Sequence, residues 1–492
     1  MRLRLISVSI SCLLAFTLAC KHQPTIQPIQ ETADNFPEEI KNIIVAKCAT
    51  PGCHNQASYQ VSGGGLLLDT WEHLFDGGDH GAVIVPYSPE NSSLLYFTNS
   101  HSDLGPIPPD DMKMPLNGTP LSREEYLALR DWVKRGAPDK NGNIPFAANA
   151  ESRQKIYAAH QACDYVTVID AEKHVVMRMI PIGKETTIEV AHSLKVAPDG
   201  QAAYVSFWAG QYIQKIDTRT DTVSGQIDLP GPNSNMLFFT PDGQELLLTN
   251  WYFNNFSRIN PVTGQAISTV GTGTFVAPHG IATNAGGDTF YVTEQYGNML
   301  YKIAENGSFL KITVNSNPPV ATGSGQPALH GIIMTPSHDK YFVTCEESNE
   351  VRVMNAATDQ LMQAIPVGAR PQEMAISTTK PYVFVSCLDE NNTSSLYKGA
   401  VYIINYNTHE IVKKISDRYY MPHALTVDDQ NGMLYVFSRN LDLNGPQPHH
   451  HSATCAGRSG YYSVYDFNKL EPLNNRRYEV TIDPYSADTR FK

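Results

Sequence analysis

Two thiols followed at once by an imidazole stand near the start of the chain. Cys48 and Cys53 are separated by four residues, and His54 follows directly. Thiols can add to the vinyl groups of a porphyrin and the adjacent histidine can reach the iron, so this pattern is typical of a covalently attached c-type haem. The usual spacing is two residues, and zinc also takes Cys and His ligands. A structural zinc site needs a fourth ligand, and no second cysteine pair lies nearby, so the sequence favours haem.

Short motifs in a fixed order surround this cluster. They are Gly64-Gly65-Leu66-Leu67-Leu68-Asp69, Gly77-Gly78-Asp79, Val85-Pro86, Ser88-Pro89, Ser93-Leu94-Leu95, Lys113-Met114-Pro115, Leu121-Ser122, Glu124-Glu125 and Gly136-Ala137-Pro138. In this order they resemble the planctomycete-type cytochrome c domain, across about Phe36 to Asp139. The loop between the cysteines is longer than in that family, which affects the thioether geometry rather than the presence of haem. The resemblance implies a small all-α cytochrome c domain carrying haem c.

A methionine in front of a proline is the second candidate iron ligand. The family uses a Met-Pro methionine as the sixth ligand, and the matching residue here is Met114. A thioether opposite a histidine is standard in electron-transfer cytochromes and raises the reduction potential. Met112 lies two residues earlier and is an alternative ligand. Met114 could also only fill the core, as methionines often do.

A short β-forming run recurs from about Ile156 onward. Its seven copies begin at Ile156, Ala203, Leu246, Phe290, Phe342, Val383 and Leu434. Each is followed by a second run that usually ends in Asp or Asn, and the period is roughly 43 to 50 residues. Four strands per unit at this period are typical of propeller blades, so the repeat predicts an all-β seven-bladed propeller.

One blade is incomplete in chain order. The inner strand is found six times, around Leu194, Met236, Ile281, Ile332, Met374 and Leu425. The first blade therefore lacks its inner strand, and we expect the segment around Tyr478 to Ile482 to complete it and close the ring. The stretch Val196-Ala197-Pro198-Asp199-Gly200 resembles the YVTN family of propellers. That resemblance implies a fold and no particular function, because this scaffold hosts many activities.

Polar residues open the inner strands at equivalent positions. They are His192, Asn235, His279, His330, Glu373 and His423. Propeller symmetry places equivalent positions at one height around the central channel. A ring of four histidines and a glutamate could hold copper, zinc or iron, so the sequence predicts a second metal site with the four histidines as ligands. The alternative is that they point between blades and bond the backbone.

The last blade carries a long loop with three consecutive histidines, His449 to His451, and Cys455. A histidine run can bind metal or can simply form a polar loop. Cys163 lies in the corresponding loop of the first blade. Because the first and last blades are neighbours in a closed ring, we expect a Cys163–Cys455 disulfide to lock it.

Residues 1–20 have the pattern of a secretory leader. Arg2 and Arg4 precede an apolar stretch too short to span a bilayer comfortably. Thr17-Leu18-Ala19-Cys20 resembles a lipobox, which predicts lipidation of Cys20; plain secretion with an incidental cysteine is the alternative. We expect a cell-envelope lipoprotein on the periplasmic side of the outer membrane, attached to the membrane through its lipid anchor only.

The chain is acidic, with a formal charge of −12. Loss of Arg2 and Arg4 with the leader leaves 35 basic against 49 acidic residues, a net charge of −14. Such a surface argues against nucleic acid as a partner. The expected organisation is a leader (1–20), a tether (21–36), a cytochrome domain (37–140), a linker (141–155) and the propeller (156–492).

The main functional hypothesis is an electron-transfer protein that exchanges single electrons through its haem. In this hypothesis the propeller docks a redox partner protein or a substrate. One alternative is a redox enzyme, in which a metal in the propeller channel is fed by the haem. Another is a non-catalytic binding propeller with a haem sensor module. A lactonase would leave the haem unexplained.

Overall fold

The computed structural model describes residues 34–390, 396–449, 455 and 459–491. Residues 35–492 form one compact unit. Its N-terminal part is helical and its remainder is a seven-bladed β-propeller. Cys20, and His450 and His451 of the loop histidines, lie outside the described residues. Within the described residues no helix is long and apolar enough to cross a membrane.

The helical part contains four α-helices and one 3-10 helix within the described residues. They are α1 (Glu38–Lys47), α2 (Trp71–Leu74), the 3-10 helix Pro89–Asn91, α3 (Ser93–Thr98) and α4 (Arg123–Lys134). α4 begins at a capping box, in which the Ser122 hydroxyl accepts from the N–H of Glu125 and the Glu125 carboxylate accepts from the N–H of Ser122. Its buried face packs with α1 around Ile44, Leu129 and Trp132. This small apolar core fixes the loops between the helices.

Seven four-stranded antiparallel sheets make up the blades, and the seventh has one additional short strand. The strands are β1 (Lys155–His160), β2 (Tyr165–Asp170), β3 (Val176–Pro181), β4 (Ala191–Val196), β5 (Ala202–Phe207), β6 (Tyr212–Asp217), β7 (Thr222–Asp228), β8 (Ser234–Phe239), β9 (Leu246–Asn250), β10 (Asn255–Ile259), β11 (Ala266–Val270), β12 (Pro278–Thr283), β13 (Thr289–Glu294), β14 (Met299–Ala304), β15 (Phe309–Thr313), β16 (Leu329–Met334), β17 (Lys340–Cys345), β18 (Glu350–Asn355), β19 (Leu361–Pro366), β20 (Ala369–Ile376), β21 (Tyr382–Asp389), β22 (Gly399–Asn405), β23 (Ile411–Tyr419), β24 (Pro422–Asp428), β25 (Met433–Ser438), β26 (Gly460–Asp466), β27 (Glu471–Pro472), β28 (Tyr478–Val480) and β29 (Pro484–Arg490).

The same turn ends the third strand of most blades. An Asp or Asn side chain accepts backbone N–H groups two or three residues further on, which is an Asx turn. It occurs at Asp217, Asn260, Asn355, Asn405 and Asp466. These are the Asp and Asn positions of the sequence repeat, so the repeat encodes the connection to the outer strand of each blade.

The C-terminal strand closes the ring. β29 pairs with β1 and becomes the inner strand of the first blade, with Lys155 opposite Arg490. The prediction that the C-terminus completes this blade is confirmed, but the segment is Pro484–Arg490 rather than 478–482. Tyr478–Val480 instead forms β28, which pairs with β26 beside the two-residue strand β27. The outer edge of the last blade is interrupted after β27, and β28 fills it.

Closure is reinforced by side chains and by a covalent link. The Arg490 side chain is fully buried and donates to four backbone carbonyls: those of Gly200, Ala150, Arg153 and Glu151. Cys163 and Cys455 form a disulfide with their Cα atoms 5.7 Å apart. The predicted disulfide between the first and last blades is therefore present.

Candidate functional site

The cysteine pair and its histidine lie in a compact loop that starts where α1 ends. The N–H of Cys53 donates to the Thr50 carbonyl at 3.0 Å. The N–H of His54 donates to the Cys48 carbonyl at 3.1 Å. The four residues between the cysteines are thus folded into turns that bring His54 back to Cys48. The longer loop does not separate the three side chains.

The His54 ring is oriented by the backbone. Its Nδ1 lies 3.2 Å from the Leu66 carbonyl oxygen, which can only accept a hydrogen bond, so Nδ1 carries the proton. This leaves the lone pair on Nε2 for a metal, the arrangement common to metal-ligating histidines. Burial also lowers the pKa of His54. The imidazole is therefore neutral at pH 7, as an iron ligand must be.

Met114 is positioned by a backbone hydrogen bond in which its N–H donates to the Phe97 carbonyl at 2.8 Å. Its side chain lines the same cavity as Cys48, Cys53 and His54. Met112 is not among the described residues that line this cavity. The structure therefore brings the four predicted haem residues together and gives Met114, rather than Met112, access to the cavity.

The cavity has a volume of about 520 Å³, within the range of cofactor and ligand sites. Its apolar walls are formed mainly by Leu66, Leu68, Val83, Leu94, Phe97 and Leu116. Two thiols, an oriented imidazole and a thioether on the walls of one apolar cavity fit a covalently attached haem.

Burial, reinforced by the neighbouring Cys53, raises the pKa of Cys48 to about 11. The thiol is therefore protonated at neutral pH.

The zinc alternative finds no support in this loop. Among the described residues, the one group of three or more His, Cys, Asp or Glu side chains close enough to share an ion lies in the propeller. Cys48, Cys53 and His54 do not converge in that way. The arrangement of the loop is thus better suited to three separate contacts with a large planar group than to one small ion.

The propeller contributes one wall of this cavity through His449. The His449 ring stacks on His80 with centroids 4.3 Å apart and meets Phe97 edge-on at 5.4 Å. The N–H of His449 donates to Oε1 of Glu479 at 2.8 Å, and His80 Nδ1 lies 3.1 Å from the same oxygen. The sequence singled out His449 only as part of a histidine run and gave no sign of its place beside the cavity.

The four predicted channel histidines lie in one cluster on the inner strands. Ring centroids are 6.1 Å apart for His192 and His279, 4.1 Å for His279 and His330, and 5.6 Å for His330 and His423. Tyr485 completes the circle, 3.9 Å from His423 and 4.7 Å from His192. Burial lowers the pKa of all four histidines, to about 3 for His192 and His330. They are neutral at pH 7.

The equivalent residue of the sixth blade is Gln372, so the placement of Glu373 in the ring was wrong by one position. A Ser or Thr hydroxyl of one blade donates to the carbonyl of the ring residue in the next. These pairs are Ser206–Asn235, Thr249–His279, Thr293–His330, Thr344–Gln372 and Ser386–His423. A β-bulge interrupts the pairing of each inner strand at this position. In the sixth blade the bulge contains two polar residues of similar shape, Gln372 and Glu373, so the sequence alone does not show which of them is the ring residue. Tyr485, in the bulge of β29, is the seventh position.

Comparison with known proteins supports the cytochrome resemblance. Residues 51–111 match the family model described as Planctomycete cytochrome C. The matched residues include Cys53 and His54, start after Cys48 and end before Met114. Residues 51–111 thus match a Planctomycete cytochrome C domain, as the motif order predicts.

The chain is also similar in sequence to a curated protein and in fold to solved structures. Antigen Lp49 of Leptospira interrogans is 22% identical over 246 residues, which cover 49% of this chain and 53% of that protein. The match thus spans about half the length of the relative. Hydrazine synthase of Kuenenia stuttgartiensis gives a TM-score of 0.47 at 16% identity, covering 62% of this chain and 91% of that chain. A functionally unknown protein from Desulfotomaculum acetoxidans gives 0.47 at 13%, covering 67% and 99%.

Proposed function

We propose that this protein transfers single electrons through a haem c attached to Cys48 and Cys53. His54 and Met114 would hold the haem iron in this proposal. The observation that carries it is the convergence of these four side chains on one apolar cavity, two of them within the residues 51–111 that match the Planctomycete cytochrome C family model. A haem bound there supplies reversible one-electron chemistry at its iron.

The protein's own groups set the conditions for that exchange. The Leu66 carbonyl holds the His54 ring in one tautomer and raises its basicity as a ligand. The leucines of the walls make the surroundings of the haem apolar, which, with a thioether ligand, favours a high reduction potential. His80 and His449 cover one side as a stacked pair. The propeller therefore acts in this proposal as part of the haem environment as well as a scaffold.

We also propose that a redox partner protein docks beside the cavity, with the propeller forming part of the docking surface. Val61, next to the cavity-lining Ser62, is 90% exposed, and Leu116 lines the cavity and is 51% exposed. Exposed apolar side chains at a cofactor edge are suited to a transient protein contact. The acidic surface favours a basic partner and disfavours nucleic acid.

The docking proposal is tested with mitochondrial cytochrome c, a basic protein, as the oxidant. Val61→Lys is expected to slow electron transfer to cytochrome c, because it removes the apolar contact and repels a basic partner, and to leave docking-independent oxidation by ferricyanide largely unaffected. Val262, which is 88% exposed on the propeller, provides the matched control Val262→Lys. A rate that falls for Val262→Lys and not for Val61→Lys would place docking on that face of the propeller instead.

Export and lipidation complete the proposal. The leader pattern and Cys20 support an envelope lipoprotein facing the periplasm, and the repeat motif supports a propeller of the YVTN type. Metabolic labelling with a fatty acid checks the anchor: the label should be lost in Cys20→Ser. Label that persists in this variant would contradict lipidation at Cys20.

Haem attachment is tested directly by denaturation. The purified protein should keep its haem in denaturant because thioether bonds are covalent, and the Cys48→Ala, Cys53→Ala double variant should yield haem-free chain. Cys345 and Cys387 are buried free cysteines away from the cavity, so the Cys345→Ala, Cys387→Ala variant is the matched control. Full haem in the first variant would refute the attachment site.

A second candidate function is a redox enzyme with a metal in the propeller channel. The close approach of His330, Glu373 and His423 favours it.

A further inference from the structure

The inner strands of the seven blades enclose a second group of ligand atoms. One atom from each of His330, Glu373 and His423 lies within 4.8 Å of the others. Nδ1 of His330 is 3.4 Å from Oε1 of Glu373. The two histidines are only 2% and 1% exposed. We propose that these three side chains bind one divalent transition-metal ion, at a site independent of the haem.

Both imidazoles are oriented to leave one nitrogen for an ion. Nδ1 of His423 donates to the Tyr485 carbonyl at 2.7 Å, so the lone pair is on Nε2. The backbone of Gln372 provides a hydrogen bond to the His330 ring. Nε2 of His423 and Nδ1 of His330 have no hydrogen-bond partner within the part of the chain that the structure describes. A buried polar atom without a partner is costly, and an ion between these atoms removes that cost.

His192 belongs to the cluster but is not a ligand. Arg439 can only donate, and its Nη2 contacts Oε1 of Gln161 at 3.0 Å. The Gln161 amide nitrogen must therefore face His192, where it donates to Nδ1 at 2.8 Å. The remaining nitrogen of His192, Nε2, then carries the proton and cannot bind a cation. The hydrogen-bond chain thus removes His192 from the predicted four-histidine site, and His279 has no ligand atom in the group that lies within 4.8 Å. Two histidines and a carboxylate remain.

A small cavity beside Glu373 and His423 fits a single ion. It has a volume of about 20 Å³, and Lys195 and Tyr485 also line it. This volume holds one water-sized species and no organic molecule. Two imidazoles and one carboxylate suit iron, copper or zinc, whereas calcium and magnesium prefer oxygen ligands. The positive charge of Arg439 is balanced by Asp483, which it contacts through two hydrogen bonds.

Zinc is the test ion because haem iron does not interfere with its measurement. The haem-loaded full chain is stripped with chelator, dialysed against Zn²⁺ in excess Mg²⁺, and analysed for zinc per haem. We expect one zinc per chain, and at least about 10-fold weaker binding in Glu373→Gln and His423→Gln. His192→Gln should keep the zinc. Glu373 is partly exposed, so its amide variant tests the site even if a histidine variant fails to fold.

The controls separate this site from other metal-binding groups and from the haem. His160 is fully buried and bonds the Ile482 carbonyl and the Thr167 hydroxyl, so His160→Gln should bind zinc normally. The haem-free Cys48→Ala, Cys53→Ala variant should also bind one zinc, which keeps this proposal distinct from haem attachment. Absence of zinc in the wild type overturns the site. Zinc retained in Glu373→Gln and His423→Gln, or lost only when His450 and His451 are replaced, also overturns it.

Discussion

Arg490, two residues from the C-terminus, is predicted to be the main polar anchor of the closing strand. Its guanidinium has no exposed surface and donates to the carbonyls of Gly200, Ala150, Arg153 and Glu151 at 2.8 to 3.2 Å. Hydrogen bonds to a charged group contribute about 1.5–3 kcal/mol each, so the four together contribute at least about 6 kcal/mol to the stability of the folded state before any compensation by water. The Gly200 carbonyl also accepts a hydrogen bond from the Thr218 hydroxyl, so it keeps one partner when Arg490 is replaced. The stability lost in that variant is therefore smaller than this sum.

The change Arg490→Met keeps the apolar volume of the side chain and removes all four donors. The segment that carries Ala150, Glu151 and Arg153 is partly exposed, so water can reach some of the freed carbonyls. We therefore expect a loss of about 3–5 kcal/mol in the free energy of unfolding of the propeller. The measurement is urea unfolding followed by circular dichroism and tryptophan fluorescence, with the disulfide kept oxidised.

Arg219 provides the matched control because it is 55% exposed and meets Glu151 at 3.6 Å. Exposed ion pairs contribute little, so Arg219→Met should change the free energy of unfolding by less than about 1 kcal/mol. Equal stability of Arg490→Met and the wild type would refute the view that this buried arginine holds the closing strand. A loss as large in Arg219→Met would show that the contact segment, rather than Arg490, is responsible.

Three further predictions concern the haem, a buried carboxyl and the disulfide. Met114→Ala should lower the reduction potential and let carbon monoxide bind the iron, whereas Met112→Ala should do neither; the reverse result in spectroelectrochemistry would make Met112 the ligand. Burial raises the pKa of Glu294 to about 7, so the unfolded state loses its proton first and stability should fall by up to about 3 kcal/mol as pH rises from about 4.5 to 7. Urea titrations of Glu294→Gln should lack this slope, and an unchanged slope would exclude Glu294 as its source. Replacing Cys163 and Cys455 by Ser should lower the free energy of unfolding by roughly 2–5 kcal/mol, and reductant should lower the wild type to the same level; no difference between the two proteins in oxidising buffer would contradict a stabilising link.

The sequence predicts the architecture well because the repeat is local. Each blade carries its own β-forming runs and most carry an Asx turn, so seven copies and their period are visible without knowing any long-range contact. The same is true of the haem loop, where Cys48, Cys53 and His54 are neighbours in the chain. The closing strand was misplaced because Tyr478 and Val480 have the alternation of a strand as clearly as β29 does. Only their pairing with β26 shows which blade they join.

The parts that were not predictable depend on register and on contacts between distant residues. Gln372 and Glu373 are adjacent and polar, and the hydroxyl of Thr344 decides which of them is equivalent to the other ring residues. The exclusion of His192 as a ligand depends on an arginine 247 positions further along the chain. His449 reaches the cavity beside Cys48 and Cys53 only because the last blade packs against the helical part. No periodicity or spacing contains that information.

The wall that the last blade gives to the cavity also sets an order of assembly. Cys48, Cys53, His54 and Met114 are made early, whereas His449 belongs to the final tenth of the chain. During synthesis the N-terminal residues emerge first, so the cavity stays open on the propeller side until blade seven has formed. The proposed porphyrin would thus have a wide approach to the thiols in the nascent chain and a narrower one in the finished protein. The order of the residues alone would then couple the entry of the proposed prosthetic group to the closure of the ring.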